Sequence, residues 1–396
     1  MEHISDDKWV EIDVSAIKNN LQKVREHLDD EVRLIAVIKA NAYGHGAPEV
    51  ARILYQNGVD FLAVSYLEEA LEIRDAGIRA SIMLFSPLID EKQVKLAIEN
   101  NITLAITSLY DCNLVNKVSS QLKSRVTVHL KVDTGLGRFG IDEEELLDIC
   151  NNLKDNPYIY MEGIFTHMAE ANNEKYTVKQ FNRFLEIIKR LEDSGINIPV
   201  KHCANSTVFL KYKNMHLNAV RIGTLLSGQF PVGDMPKPFT LSDPFTFKTK
   251  VIAVRPLKKG SFLGYYRTYR LKRDAKVAVI PVGFNDGLAL EVANPPTNFI
   301  DLIKILLRNL LRYFHFPRFN TYVKIKNNFY PIRGKVFMQM SLIELPFYSD
   351  VNVGDIVEVP MRKTIISKDI KRFYIKEGLP GKISQGSKTV YITEEG

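Results

Sequence analysis

The stretch "RLIAVIKANAYGHGAPEVARILYQNGVDFLAVSY" (residues 33–66) decides the architecture. An apolar run, 33–39, ends on Lys39. A helix-patterned stretch, 47–58, closes on glycine, and a second apolar run, 61–66, follows. Near-continuous apolar runs suit strands of a parallel sheet covered on both faces. The closing glycine is a helix stop. The rhythm continues through "SIMLFS" (81–86), "ITLAITS" (102–108), "RVTVHLKVD" (125–133), "YMEGIFTHM" (160–168), "PVKHCANS" (199–206) and "NAVRIGTLLSG" (218–228). Further helical patterns, "LEEALEIRDAG" (67–77) and "KQFNRFLEIIKRLEDSG" (179–195), separate the runs. Eight candidate strands alternating with helices predict an α/β fold, an N-terminal (β/α)8 TIM-type barrel over 1–240. The extreme N-terminus is free to join a second domain. An open doubly wound sheet is the alternative, but no G-x-G-x-x-G follows the first strand.

After residue 240 the texture changes. "KVAVIPVGF", "TYVKIKNNFYPIRGKVFMQMSLIEL" and "GDIVEVP" are β-rich and broken by Gly, Pro and Asn. A C-terminal mainly-β domain over 241–396 is expected. Within it "NFIDLIKILLRNLLRYFHF" (298–316) has the pattern of an amphipathic helix, with Lys304, Arg308 and Arg312 among leucines. It predicts a helix packed on the β domain or at a subunit interface; a membrane-surface helix is the other reading.

Composition bounds the class. The chain has 396 residues, 45% hydrophobic and 25% charged, an ordinary globular balance. No apolar run reaches about 18 residues, so no membrane span is expected, and "MEHISDDKWVEIDVSAI" has no signal-peptide pattern. Three cysteines, Cys112, Cys150 and Cys203, are far apart and lack zinc spacing. They favour a reducing cytoplasm over a disulfide framework. The net charge of +7 is spread rather than blocked; it reads as a solvated surface rather than a nucleic-acid site.

On a β/α barrel, functional side chains stand at the carboxyl ends of the strands. Those positions hold Lys39, "KVDTGLGRFG" (131–140), His167, Asn205, Ser206, Arg221, Gly223 and Thr224. The set lacks a carboxylate pair at glycosidase spacing and a metal-ligand cluster. One lysine, two arginines and glycine-rich turns with hydroxyl and amide groups suit an aldehyde cofactor with a phosphate tail. The lysine would form a Schiff base. Ser206 and the amides near Gly223 and Thr224 would cradle the phosphate.

"VIKANAYGHG", "KVDTGLGRFG", "FTHMAEA", "HCANS", "VRIGTLLSG", "GYYRTY" (264–269) and "IPVGFNDG" (280–287) together resemble the motifs of the alanine racemase family. The resemblance implies pyridoxal 5'-phosphate, a homodimer with shared active sites and an amino-acid substrate. It implies interconversion of L- and D-alanine to supply peptidoglycan. It makes Lys39 the Schiff-base lysine and one base, and Tyr265, from the second subunit, the other. Tyr43 would hold the phosphate and Arg138 the cofactor phenolate, oriented by Lys131, which is often carbamylated in relatives. His167 would orient Tyr265 or stack near the ring. Arg221 would meet the pyridine nitrogen, and the Met338 amide the substrate carboxylate.

Three departures bear on substrate. In "GKVFMQM", Phe337 and Gln339 replace the family's usual Cys and Asp. "ISQGSKTVY" (383–391) replaces the usual C-terminal segment, with Gln385 where some relatives carry a phosphate-binding tyrosine. The 298–316 segment is longer than in relatives. A racemase of serine, lysine or ornithine, or a non-catalytic cofactor-binding paralogue, is the alternative.

Overall fold

The computed structural model of the protein describes residues 7–291, 295–296, 298–376, 379–386 and 388–391. The outer ends of the domain ranges given above, residues 1 and 396, lie outside them. The chain divides into two compact units, Met1–Asp13 with Phe245–Gly396, and Val14–Pro244.

The first strand, β1 (Lys8–Asp13), belongs to the β-rich unit. It pairs antiparallel with Phe245–Lys250 and parallel with Arg372–Lys376, inside an 11-stranded sheet. The alternating burial of Phe245–Lys250, buried at every second residue, is the period of a sheet with one covered face.

Val14–Pro244 forms the barrel. Its strands are β2 (Arg33–Val37), β3 (Phe61–Val64), β4 (Ser81–Leu84), β5 (Ile102–Ile106), β6 (Val126–Lys131), β7 (Ile159–Phe165), β8 (Val200–His202) and β9 (Ala219–Ile222). All neighbours are parallel, in the order β8-β7-β6-β5-β4-β3-β2-β9. The sheet nearly closes. Where β8 meets β9, Asn218 N–H donates to Lys201 C=O at 3.1 Å and Arg221 N–H to Ala204 C=O at 2.9 Å. The eight apolar runs are therefore the eight barrel strands; β3 and β5 are buried along their whole length, whereas β7 and β8 are buried only towards their carboxyl ends. Ile35, Val37, Phe61, Ala63, Met83, Ala105, Phe165 and Ala219 form one cluster of inward-facing residues, as the period of two along each strand requires.

The helix at Phe299–Tyr313 forms with Asn298 as its cap, the side chain accepting from Asp301 N–H at 2.9 Å. No residue of the helix is buried, so the described residues of the β-rich unit do not cover it, against the first of the two packings expected; an outward apolar side is what the second, a subunit interface, requires. Arg312 and Arg308 on its polar side pair with Glu291. Leu306 and Leu310, on the apolar side, are 59% and 53% exposed.

Candidate active site

The strand expected to run through Lys39 stops at Val37. Ile38 breaks from it, and Ala40, Asn41, Ala42 and Tyr43 all take the left-handed conformation, with φ of 51°, 54°, 51° and 56°. Left-handed backbone costs a non-glycine residue about 1–2 kcal/mol, so this turn needs external ties. Ala42 N–H donates to Ile38 C=O at 2.8 Å, and Ala47 N–H to the Asn41 side chain at 2.8 Å. The Glu69 carboxylate accepts from Ala40 N–H at 2.5 Å, Ser65 N–H at 2.9 Å and Tyr66 N–H at 3.2 Å. Glu69 thus binds the turn that begins at Lys39 to the end of β3. Sequence reasoning missed it; its only signal was a glutamate at the third position of a helix, where a carboxylate can reach back to backbone amides.

The turn opens onto a cavity of about 390 Å³ at the carboxyl ends of the barrel strands, within the usual ligand range of about 300–1,000 Å³. Lys39, Tyr43, Lys131, Arg138, His167, Asn205, Ser206, Arg221, Gly223 and Thr224 all line it. The barrel therefore brings together every candidate residue from its own unit. Lys39, Lys131, Arg138 and Arg221 are cationic, and no Asp or Glu is among the lining residues. Such a field selects a multiply charged anion.

The charges set one another. Burial, and then Arg138, hold the Lys39 ammonium below its ordinary value, with Glu69 opposing. Burial and Arg138 bring Lys131 down to about 8; its ammonium donates to Phe139 C=O at 2.5 Å. Burial, followed by Arg221, Arg138, Lys39 and Lys131, pushes His167 down to about 3. His167 is a neutral imidazole at working pH, able to donate and accept but not to carry charge. Burial lowers Arg221 only to about 10, so it remains a cation. Its guanidinium is fixed by Thr166 C=O at 2.7 Å, His202 C=O at 3.0 Å, Cys203 C=O at 3.2 Å and the His202 ring at 2.8 Å.

One end of the cavity suits a phosphate. The buried Thr224 Oγ1 has no hydrogen-bond partner among the described residues. A buried hydroxyl in that state is a site missing its ligand or water. Gly223 N–H reaches Ser206 Oγ at 3.4 Å. A Cβ on Gly223 would lie 2.3 Å from the Tyr43 hydroxyl, so glycine is what lets Tyr43 stand there. Burial pushes the Tyr43 phenol up to about 12, keeping it a proton-bearing donor. The Asn205 side chain is partly committed elsewhere: its oxygen caps the helix Ser206–Lys211, accepting from Thr207 and Val208 N–H. The amine, hydroxyls and cations together fit pyridoxal phosphate.

Tyr265 and Met338 belong to the other unit and do not line this cavity. They lie near each other in sequence-distant turns. Tyr265 follows Gly264 (φ 76°), is 65% exposed, and meets the Phe337 ring edge-on at 5.0 Å. Phe337 and Met338 carbonyls accept from Phe284 and Asn285 N–H at 3.0 and 2.9 Å. A Cβ on Gly283 would come within 2.3 Å of both carbonyl oxygens. "GFNDG" therefore serves to seat the 337–338 turn beside Tyr265.

Residues 12–231 match the family model "Alanine racemase, N-terminal domain", and 244–372 match "Alanine racemase, C-terminal domain". An alanine racemase of Methanococcus maripaludis is 35% identical over 355 residues, 89% of this chain and 88% of its own. Alanine racemase 1 of Oceanobacillus iheyensis is 32% identical over 360 residues, again 89% and 88%. Among solved structures, alanine racemase of Clostridium difficile 630 superposes with a TM-score of 0.85 at 27% identity, covering 96% of this chain and 99% of that one. The Bacillus anthracis enzyme with bound L-Ala-P gives 0.81 at 29%, covering 96% and 98%. Barrel, β-rich unit and both family models agree: the chain belongs to the alanine racemase family of isomerases.

Proposed function

We propose that the protein is a pyridoxal-phosphate-dependent racemase of alanine that works with two bases, Lys39 and Tyr265. The observation that carries the reading is the cavity in which three further cationic side chains and no carboxylate surround a lysine whose amine is held below its ordinary value. The phosphate would be held by Tyr43, Ser206, Thr224 and the backbone at Gly223, with Asn205 at their side. Arg138, steadied by Lys131, would hold the cofactor phenolate. The bound cofactor supplies the electron sink that acidifies the substrate's α-proton.

The chain's own groups do the rest. Lys39 would hold the cofactor covalently at rest and, once the substrate's own amine has taken its place, would take or return a proton on one face as a neutral amine. A single fixed base serves one face only, so inversion needs a second, and Tyr265 supplies it from the second subunit of a homodimer. The exposure of Tyr265 on its own unit supports that assignment. His167, neutral, orients Tyr265 by hydrogen bonding without adding charge. Arg221 would hold the pyridine nitrogen as a donor that keeps its proton, which would limit charge delocalisation into the ring and disfavour transamination. The Met338 amide, held by the turn it shares with Phe337, takes the substrate carboxylate. The Lys131 amine, near 8, is neutral often enough to accept carbon dioxide as a carbamate. The three cysteines are free and buried, which supports a cytoplasmic setting; the D-alanine made there would supply the cell wall.

The test is chiral analysis of L-alanine incubated with purified protein and pyridoxal phosphate, beside L-serine, L-lysine and L-ornithine. D-alanine should form fastest, and Lys39→Ala should abolish it. Faster inversion of another amino acid would move the substrate assignment. No inversion of any would return the protein to a binding role.

A further inference from the structure

Three barrel strands carry further ionisable residues that pack together: His129 in β6, Glu162 in β7 and His202 in β8. Both histidines are fully buried. Such groups survive inside a core only when paired. Here they are paired in a line. Arg221 Nη1 lies 2.8 Å from His202 Nδ1, His202 Nε2 lies 2.9 Å from His129 Nδ1, and His129 Nε2 lies 2.9 Å from Glu162 Oε2.

The two ends fix every proton between them. A guanidinium can only donate, so His202 Nδ1 accepts. A neutral His202 then holds its proton on Nε2 and donates it to His129 Nδ1. That leaves the His129 proton on Nε2, donated to the Glu162 carboxylate. Reversing any link would leave His202 as an imidazolate or His129 facing a carboxylate without a proton. Desolvation holds both imidazoles below their ordinary value, which keeps them neutral.

The local fold is built around this line. Opposite β6 the register jumps from Val128–Met161 to His129–Gly163, so Glu162 is the extra residue of a β-bulge. Bulges re-aim a side chain, and this one lets Glu162 reach His129. A Cβ on Gly163 would lie 2.3 Å from His129 Nδ1. Phe165 stacks on the His202 ring at 4.9 Å, and Phe61 meets the His129 ring edge-on at 5.7 Å. Neither imidazole has room to turn over. At the far end the Glu162 side chain is 23% exposed and stands 3.9 Å from Arg33.

We propose that Glu162 is a positioning residue for Arg221, acting through His129 and His202 held as single tautomers. The proposal rests on the reading of Arg221 as the pyridine partner. It assigns Glu162 the task of keeping the guanidinium in one orientation from the other end of the hydrogen-bonded line.

The experiment uses full-length protein labelled with 15N-histidine, in wild type, Glu162→Gln, Glu162→Leu and Gly163→Ala forms. NMR in the cofactor-free state reads tautomers without any activity. Wild type should show two rings with protonated Nε2 and unprotonated Nδ1. Glu162→Gln, still an acceptor, should keep both shifts. Glu162→Leu should move the signals of both rings, and Gly163→Ala, whose Cβ would press on His129 Nδ1, should break the adjoining His202–His129 link without touching the charge. In the loaded enzyme Glu162→Leu should lower kcat on the order of tenfold, with KM within twofold and partial rescue by glutamine. A protonated Nδ1 in either wild-type ring overturns the proposal. So does a Glu162→Leu protein with unchanged ring signals and unchanged kcat. Wild-type tautomers as assigned in a protein that racemises nothing would strike at the reading of the site and leave the hydrogen-bonded line standing.

Discussion

Gly223 shows how narrow the tolerance at this site is. An alanine there would put its Cβ 2.3 Å from the Tyr43 hydroxyl, and overpacking of that kind costs about 1–3 kcal/mol. Gly223→Ala should lower denaturant stability by that amount and weaken pyridoxal phosphate binding at least tenfold, measured by absorbance titration. Stability unchanged with affinity intact would mean Tyr43 does not depend on this glycine. His167 gives a pH signature. Its folded value is near 3 against an ordinary 6.5. Between those limits the unfolded chain binds a proton that the folded chain refuses, so stability falls as pH drops from 6.5 towards 3. His167→Asn should flatten the slope of unfolding free energy over that window. An unaltered slope would place the acid sensitivity elsewhere.

The turn after β2 is the element on which the site depends. Four consecutive left-handed residues are held open by hydrogen bonds from outside the turn, and Glu69 supplies an acceptor to three backbone amides. Glu69→Ala should cost about 1–3 kcal/mol in denaturant unfolding, the penalty for orphaned donors, and should weaken cofactor binding because Lys39 begins the turn. The helix Phe299–Tyr313 behaves in the opposite way. Since its leucines face outward, Leu306→Glu with Leu310→Glu should change stability by no more than about 0.5 kcal/mol and reduce light scattering at high concentration. A loss of several kcal/mol would show the helix to be packed in solution.

Across the whole molecule, what could be read from the sequence was whatever each segment carries within itself. Barrel strands are apolar on both faces because both faces are covered, so "FLAV" and "ITLAI" announce themselves. The glycines at 58 and 77 stop the helices they were expected to stop, both at positive φ. Site residues at strand ends followed from the barrel. What was hidden depends on meetings between segments. No glycine stands at 40–43 to signal a left-handed turn. The bulge at Glu162 is a property of two strands in register, not of one. The helix at 299–313 has the pattern of a packed element, and a local pattern does not say whether a partner is present.

The central claim is that two bases on opposite faces, Lys39 and Tyr265, invert alanine. Its most direct test is racemisation in D2O, following α-deuterium and chirality of alanine together in wild type and Tyr265→Phe. Wild type should place deuterium in both enantiomers. Tyr265→Phe should lose inversion by about 10²–10⁴-fold while slow exchange persists in one enantiomer only, through Lys39. Inversion at the wild-type rate in Tyr265→Phe would contradict the account.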